Sequence, residues 1–508
     1  VIPDLPVVSI RPGRIDTAPV TSGVDAVVVP VARSGDDAQT EPTPLAHASA
    51  RYGADLIDLA ERTELDGSSG QSRTVHLPRP TVGAAFPWAE LPPRVVLLGT
   101  GNGTARDLRA AGAALAGAIR GLGQVLAITP DCDREGVTAL VEGYLLGCYR
   151  HPRFSSRTPE PSPAAELVLL GNHDDDVLDT ARRTARATWL ARTLTVTPAS
   201  VATPAWLAEQ AVRAATATGC EVEVLGPDEL EARGFGAILA VGAGSAAPPR
   251  LVTVRHRPAS SRQAGRRRHV VVVGKGITFD TGGLSLKPRE AMIPMKTDMA
   301  GAAVALAVVL AAAEAGLPHD VTAVLPLAEN AVGASSYRPG DVVRSYGGTT
   351  IEVVNTDAEG RMVLADALEH VDRDLDPDVV VDVATLTGAA TVGLGKVHGA
   401  LLTEDDGLAE DLLVAGSRSG EPLWRLPLVA DYRRALDSDV AQVRHVGDPT
   451  TGGGAITAAL FLQRFAGRRR WAHLDIAGPA RSTAARAEVP EGATGFGVRV
   501  LLRWLADL

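Results

Sequence analysis

Short apolar runs alternate along the chain with longer stretches of mixed polarity. In the first third, residues 26–29, 94–98, 125–129 and 166–170 are rich in Val, Leu and Ala and too short for helices, so they predict strands. Residues 107–120 and 135–150 carry apolar positions at helical spacing and predict helices between them. A further helix is predicted over 177–194, ahead of Thr197-Pro198 and Thr203-Pro204, where the domain junction is expected. Segments 67–80 and 152–163, with their Pro and Ser, read as loops. Beyond residue 196 the alternation strengthens. Residues 237–241, 251–254, 270–273, 323–325, 379–383 and 473–476 predict strands, and 299–314 and 362–372 predict helices, the first apolar enough all round to belong inside a core. The pattern describes an α/β chain of two domains: a smaller N-terminal α/β domain over 1–175, a linker helix over 176–195, and a larger domain over 196–508 with a mixed central sheet flanked by helices. Functional residues of such a sheet are expected in loops beyond its strand ends.

Charge and composition narrow the partners. The 508 residues are 45% hydrophobic and carry 50 Lys and Arg against 60 Asp and Glu, a net charge of -10. That balance disfavours nucleic acid or an anionic membrane as the main partner, with Arg266-Arg267-Arg268 a local exception. The apolar run 299–313 is shorter than the roughly 18 to 20 residues a bilayer requires. The opening segment holds Asp4, Arg11 and Asp16 without an apolar core, unlike a secretory leader. Cys132, Cys148 and Cys220 lack metal-ligand spacing and fit small buried side chains in a reducing compartment. More telling is the scarcity of lysine. Only four of the 50 basic residues are Lys, and Lys275, Lys287 and Lys296 fall in one short window, with Lys396 apart. A chain that otherwise uses Arg keeps there the one long cation that can lose its proton. Met292, Met295 and Met299 lie in or beside the same window.

Several familiar signatures are incomplete. Gly99-Thr100-Gly101-Asn102-Gly103-Thr104 follows a strand and precedes a helix, but Thr104 stands where a dinucleotide fingerprint requires glycine, so a structural turn is favoured. No phosphate loop ends in Gly-Lys-Ser/Thr, and no Gly-x-Ser-x-Gly elbow or His-Glu-x-x-His helix is present. Asp280-Thr281-Gly282 matches the aspartic protease tripeptide in a single copy, so a homodimer would have to provide the second. The densest chemistry runs from Gly274 to Ala303. Asp280 and Asp298 there, with Asp357 and Glu359 in Asn355-Thr356-Asp357-Ala358-Glu359-Gly360-Arg361, place four carboxylates at turns beside apolar elements. Packed together they would repel and protonate unless metal ions or bases neutralise them. Oxygen-rich ligation without Cys or His points to Mg, Mn or Zn. In an extended segment, Asp357 and Glu359 project to one side. On spacing alone, solvated acidic turns account for these residues as well as a metal site does.

These residues, with Tyr337-Arg338-Pro339-Gly340-Asp341, Ala384-Thr385-Leu386-Thr387-Gly388-Ala389, Gly452-Gly453-Gly454-Ala455-Ile456-Thr457 and 471–479, resemble the leucyl aminopeptidase (cytosol aminopeptidase) family of dinuclear metallopeptidases over 194–508. The first domain resembles that family's N-terminal domain in layout only. The resemblance implies that 196–508 is catalytic and that 1–175 serves assembly or regulation. It implies that Lys275, Asp280, Asp298 and Glu359 hold a tighter metal and Asp280, Asp357 and Glu359 an exchangeable one. A lysine ligand must be neutral, which an arginine could not be. By the same resemblance Lys287 stabilises an oxyanion, Arg361 holds bicarbonate as general base, and Met295, Asn355, Thr385, Leu386 and Gly388 contact substrate. Met295 is equally suited to core packing, and Lys296, without a role in the family, is expected in an ion pair. The implied reaction is release of N-terminal, preferentially leucine-like residues from short peptides by a hydroxide shared between two divalent ions, Mn or Zn with Mg a third option. A cytoplasmic homohexamer without membrane or nucleic-acid partner goes with it. A binding or regulatory protein on the same scaffold is the alternative. Thr281 in place of the usual Ser, and 195–200 in place of an Asn-containing stretch, touch none of these ligands.

Overall fold

The computed structural model describes residues 4–17, 20, 23–33, 43–78, 86–152, 161–258 and 267–508. Contacts divide the chain into two compact units, Val1–Arg186 with Ala484–Pro490, and Ala187–Thr483 with Glu491–Leu508.

In the first unit, β1 (Val7–Arg11), β2 (Val24–Val31), β3 (Ser72–His76), β4 (Arg94–Gly99), β5 (Gln124–Ile128) and β6 (Glu166–Leu170) form one sheet in the order β1-β6-β5-β2-β4-β3. Only the edge strand β3 is antiparallel to its neighbour. It falls inside 67–80, which the sequence gives as a loop. Its side chains are mostly exposed, so it carries no apolar signal. Residues 79–80 and 153–160 of the expected loops lie outside the described residues. The helices are α1 (Pro44–Tyr52), α2 (Leu56–Arg62), α3 (Ala105–Ala118) and α4 (Arg134–Gly147). α3 and α4 are joined by a buried Arg109–Glu142 ion pair of 2.9 Å. Thr104 caps α3, and Asp107 Oδ2 accepts from Asn102 N at 3.2 Å and Thr104 Oγ1 at 2.9 Å. The glycine turn is filled by the chain's own carboxylate, which would repel a phosphate. The three cysteines are free, Cys148 and Cys220 buried and Cys132 half-buried.

α5 (Asp176–Val196) leads into the second unit, and the contact boundary falls within it, after Arg186, rather than at the Thr-Pro pairs beyond. From Ala187 onward its inward residues, Ala187, Ala191 and Leu194, belong to the second unit's core.

The second unit continues through α6 (Pro204–Thr218), β7 (Glu221–Leu225), α7 (Pro227–Arg233), α8 (Gly236–Gly242), β8 (Arg250–His256), β9 (His269–Gly274), β10 (Gly276–Asp280), α9 (Arg289–Met292), α10 (Ala300–Glu314) and β11 (Asp320–Asn330). Then come β12 (Val342–Arg344), β13 (Thr350–Glu352), α11 (Glu359–His370), β14 (Val379–Ala384), α12 (Gly388–Leu394), β15 (Gly399–Leu402) and α13 (Asp406–Ser419). It ends with β16 (Leu423–Arg425), β17 (Val443–Arg444), α14 (Gly454–Gln463), β18 (Arg470–Asp475) and α15 (Val498–Ala506). A nine-stranded mixed sheet runs β16-β15-β18-β14-β9-β11-β8-β7, with β10 beside β11. Its centre is parallel: β9 pairs with β11 and β14, and β14 with β18.

Strand alternation explains the two cores. Val270 and Val272 of β9 enter the cluster built with α6, α10, α13 and α15, while Val271 and Val273 enter the opposite one with α8, α11 and α14. α10 is apolar all round because it is buried along nearly its whole length. Residues 237–241 are helical, not a strand. The first amides of α8, Ala237 N and Ile238 N, each donate to Asp366 Oδ2 at 2.9 Å, so the helix is capped by a carboxylate far away in sequence. Arg266 of the basic run lies outside the described residues. Its neighbour Arg267 grips Asp320 at 2.7 and 2.5 Å.

Candidate active site

The parallel strands end at one edge of the sheet, and the polar segments gather there. Lys275 follows β9 directly, Asp280 closes β10, and Thr385 and Leu386 follow β14. Asp298 ends a short turn, Met295–Thr297, just before α10. Asp357 lies in the 3-10 turn Thr356–Ala358, and Glu359 opens α11. The Asp357-x-Glu359 segment is therefore not extended. A turn running into a helix still brings the two carboxylates together, because Asn355 caps the turn, its Oδ1 accepting from Asp357 N at 2.9 Å.

One carboxylate oxygen each from Asp280, Asp357 and Glu359 lie within 4.8 Å of one another. Lys287 Nζ bridges Asp280 Oδ2 at 2.8 Å and Asp357 Oδ1 at 2.5 Å. Lys275 Nζ reaches Asp298 Oδ2 at 2.8 Å, Glu359 Oε1 at 2.9 Å and the Thr385 carbonyl at 2.9 Å. Thr385 Oγ1 also donates to Asp298 Oδ1 at 2.7 Å. Asp280 Oδ1 accepts from Gly282 N and Asn330 Nδ2, both at 2.8 Å. That tight return needs the left-handed backbone of Gly282, φ 87°.

Burial makes this arrangement electrically demanding. It raises Asp280, Asp298 and Asp357 above the ordinary carboxylate range, and neighbouring carboxylates add to it while the lysines oppose it. Burial pulls Lys275 and Lys287 down, yet the surrounding carboxylates more than offset it and hold both ammonium groups above their usual values. With all four carboxylates ionised, two negative charges would stay uncompensated by the two ammonium groups. Glu359 Oε2 is buried without a hydrogen-bond partner. A buried negative excess with an unused carboxylate lone pair is the donor chemistry that divalent cations satisfy, so the residues present fit a metal centre.

Arg361 projects from α11 and is buried. Its Nη1 donates to the His445 carbonyl at 2.7 Å, its Nε has no partner, and burial lowers it to about 10. Leu386 N donates to Asp475 Oδ1 at 3.1 Å, and Gly388 is exposed at the start of α12. Met295 is half-buried and outside both core clusters. Lys296 makes no ion pair among the described residues. It donates instead to the Val196 carbonyl at 2.7 Å, the C-terminus of α5, where the helix dipole attracts a cation. Within the chain, Asp280 faces Lys287 and the carboxylates of Asp357 and Glu359.

Some positioning residues escape sequence reasoning. Asp475 accepts from Leu386 N, Thr387 N, Thr387 Oγ1 and Ala477 N, which anchors the loop after β14. Asn330 Nδ2 and Tyr337 OH both donate to the Thr356 carbonyl, at 3.0 and 2.9 Å, just before Asp357. Asp475 and Tyr337 lie in motifs quoted above, while His445 carries no sequence signal.

A cluster of carboxylates and lysines at the carboxyl ends of parallel strands has the donor set that a metal-dependent hydrolase requires. A sequence model described as cytosol aminopeptidase family, catalytic domain, matches residues 189–502, and the family's N-terminal domain matches 28–158. The chain belongs to the cytosol aminopeptidase family. It is 40% identical over 485 residues to a "Probable cytosol aminopeptidase" of Geobacter sulfurreducens, covering 92% of this chain and 94% of that protein. A relative of the same name from Leifsonia xyli subsp. xyli is 41% identical and covers 97% of both chains. Among solved structures, the bottromycin maturation enzyme BotP in complex with Mn superposes with a TM-score of 0.81 at 37% identity, covering 95% of this chain and 99% of the other. A tomato leucine aminopeptidase mutant gives 0.85 at 30% identity, covering 100% and 98%.

Proposed function

We propose that the chain is a dinuclear metal-dependent aminopeptidase that releases leucine-like N-terminal residues from short peptides. The convergence of Lys275, Asp280, Asp298, Asp357 and Glu359, from segments far apart in sequence, into one under-neutralised cluster carries this reading. Lys275, Asp280, Asp298 and Glu359 would hold one divalent ion and Asp280, Asp357 and Glu359 the other, with Mn favoured by the BotP complex and Zn or Mg the other candidates. Bound divalent ions supply an acidified water and polarise a carbonyl.

The chain's own groups do the rest. Lys287, held protonated by Asp280 and Asp357, offers N–H to the oxyanion that forms at the scissile carbonyl. Arg361 points an unpartnered Nε from a buried guanidinium, which suits a small anion such as bicarbonate as general base. Thr385, Leu386, Gly388 and Met295 shape the pocket for the first side chain, where a flexible apolar Met suits leucine. Asn355 keeps the Asp357 turn closed beside it. The enzyme is a cytoplasmic homohexamer, with 1–175 serving assembly.

The test is leucyl anilide hydrolysis. Thorough chelation abolishes it, Mn or Zn restores it, and an N-acetylated substrate is refused. Activity that survives metal removal overturns the reading. Sedimentation as a monomer overturns the hexamer.

A further inference from the structure

The ladder between β13 and β17 is short, pairing Ile351 with Val443 and Glu352 with Arg444. His445 prolongs it by other means. Its backbone N–H donates to the Glu352 carbonyl at 3.2 Å, and its side chain then serves the next groups of the facing segment. Val354 N donates to Nδ1 at 3.2 Å, Nδ1 also lies 3.0 Å from the Glu352 carbonyl, and Nε2 lies 2.9 Å from the Asn355 carbonyl. Nε2 faces a carbonyl and so carries a proton, while Nδ1 sits between an N–H and a carbonyl in a fully buried ring beside a guanidinium. The same residue's carbonyl takes Arg361 Nη1 at 2.7 Å.

His445 therefore touches both sides of the centre. Through its ring it fixes Asn355, whose side chain caps the turn carrying Asp357. Through its main chain it fixes the head of Arg361, two residues beyond Glu359. We propose that His445 is a positioning residue that sets the Arg361 guanidinium against the Asp357 to Glu359 turn, so that the free Nε faces the anion it is to hold. This rests on the aminopeptidase reading above and goes beyond it in assigning a role to a residue that touches neither substrate nor carboxylates. An imidazole fits because one flat ring presents two nitrogens at the spacing of successive backbone groups.

Three variants test it: His445→Ala, His445→Gln, whose amide can carry the donor to the Asn355 carbonyl, and His445→Phe, which keeps ring volume without nitrogen. Each Mn-loaded protein is assayed for kcat and KM on leucyl anilide, for the bicarbonate concentration giving half-maximal activation, and for Mn retained after dialysis. The expected result for Ala and Phe is a kcat at least about tenfold lower with KM within about threefold and Mn retained. Their half-activating bicarbonate should rise at least about fivefold, and Gln should return most of the loss. An active wild type whose Ala and Phe variants keep kcat within twofold, or lose it without Gln recovery or a change in the bicarbonate response, overturns this inference alone. A wild type without metal-dependent leucyl release overturns the function as well. Should His445→Ala fail to fold, Gln against Phe decides, and equal kcat in those two overturns the role.

Discussion

Gly360, the second residue of α11, sits against the side chain of Lys275 so closely that any larger residue must displace it. A Cβ at 360 would stand 2.4 Å from Lys275 Cε, 2.6 Å from Nζ and 2.7 Å from Cδ, whereas real Cβ atoms keep at least 3.0 Å. Lys275 must then withdraw by about 0.6 Å. A lysine end with open space would do so at little cost, but Lys275 is 3% exposed and its ammonium is held on three sides at 2.8 to 2.9 Å. Withdrawal moves the nitrogen by about 0.6 Å off the place it would hold as a neutral ligand, more than the roughly 0.2 Å that metal–ligand distances tolerate. Overpacking of this kind costs about 1–3 kcal/mol, and the roughly 1 kcal/mol that Ala gains over Gly within a helix acts on folding with or without metal, so it does not offset it. The expected loss is about 1–3 kcal/mol, roughly 5- to 150-fold, in Mn affinity of Gly360→Ala. Competition against a chelator of known affinity measures it, with kcat/KM on leucyl anilide and unfolding of the metal-free protein alongside. Gly117→Ala in α3 is the control, because its Cβ would meet nothing within 4 Å. A Gly360→Ala protein with wild-type Mn affinity and kcat/KM would show that Lys275 has freedom the packing denies it, and would refute the coupling of this packing to metal binding.

Lys275→Arg should lose Mn and at least about 100-fold in kcat/KM, because guanidinium cannot release its proton, while the exposed Lys396→Arg should stay within twofold; metal analysis and kinetics on both variants decide, and equal activity sinks the argument from lysine usage. Asp475→Ala strips four donors of their acceptor around Leu386 and Thr387, so KM for leucyl anilide should rise about tenfold or more with Mn retained, as steady-state kinetics will read. Stability should also depend on pH through His445. Burial holds it at about 4 in the fold, against about 6.5 when unfolded, so the unfolded chain takes up a proton first. Its contribution is complete above pH 6.5 and is lost as pH falls toward 4, by up to about 3 kcal/mol. Denaturant unfolding of wild type against His445→Gln between pH 4.5 and 7.5 isolates that share, and parallel profiles would refute it.

How much of this is visible in the chain depends on whether a residue's partner is local. Val270 to Val273 show as a strand because both faces of β9 are apolar, and α10 shows as a core helix because all of its faces are. Residues 237–241 mislead for the opposite reason: the apolar run fits strand or helix, and what decides is Asp366, more than a hundred residues on, capping the first amides of α8. The site divides in the same way. Its charged members betray themselves through residue type, three of four lysines in one window and acids at turns, since buried charge tolerates few substitutes. Asn330 and His445 do not, because they act through ordinary hydrogen bonds to backbone that comes near only in the fold, and Asp475 shows only as one member of a longer motif. Lys296 shows the limit of inference from residue type alone. It shares the window with Lys275 and Lys287, yet its partner is the carbonyl at the end of α5, so the clustering that marks the two lysines of the carboxylate cluster also sweeps in one that lies against a helix end.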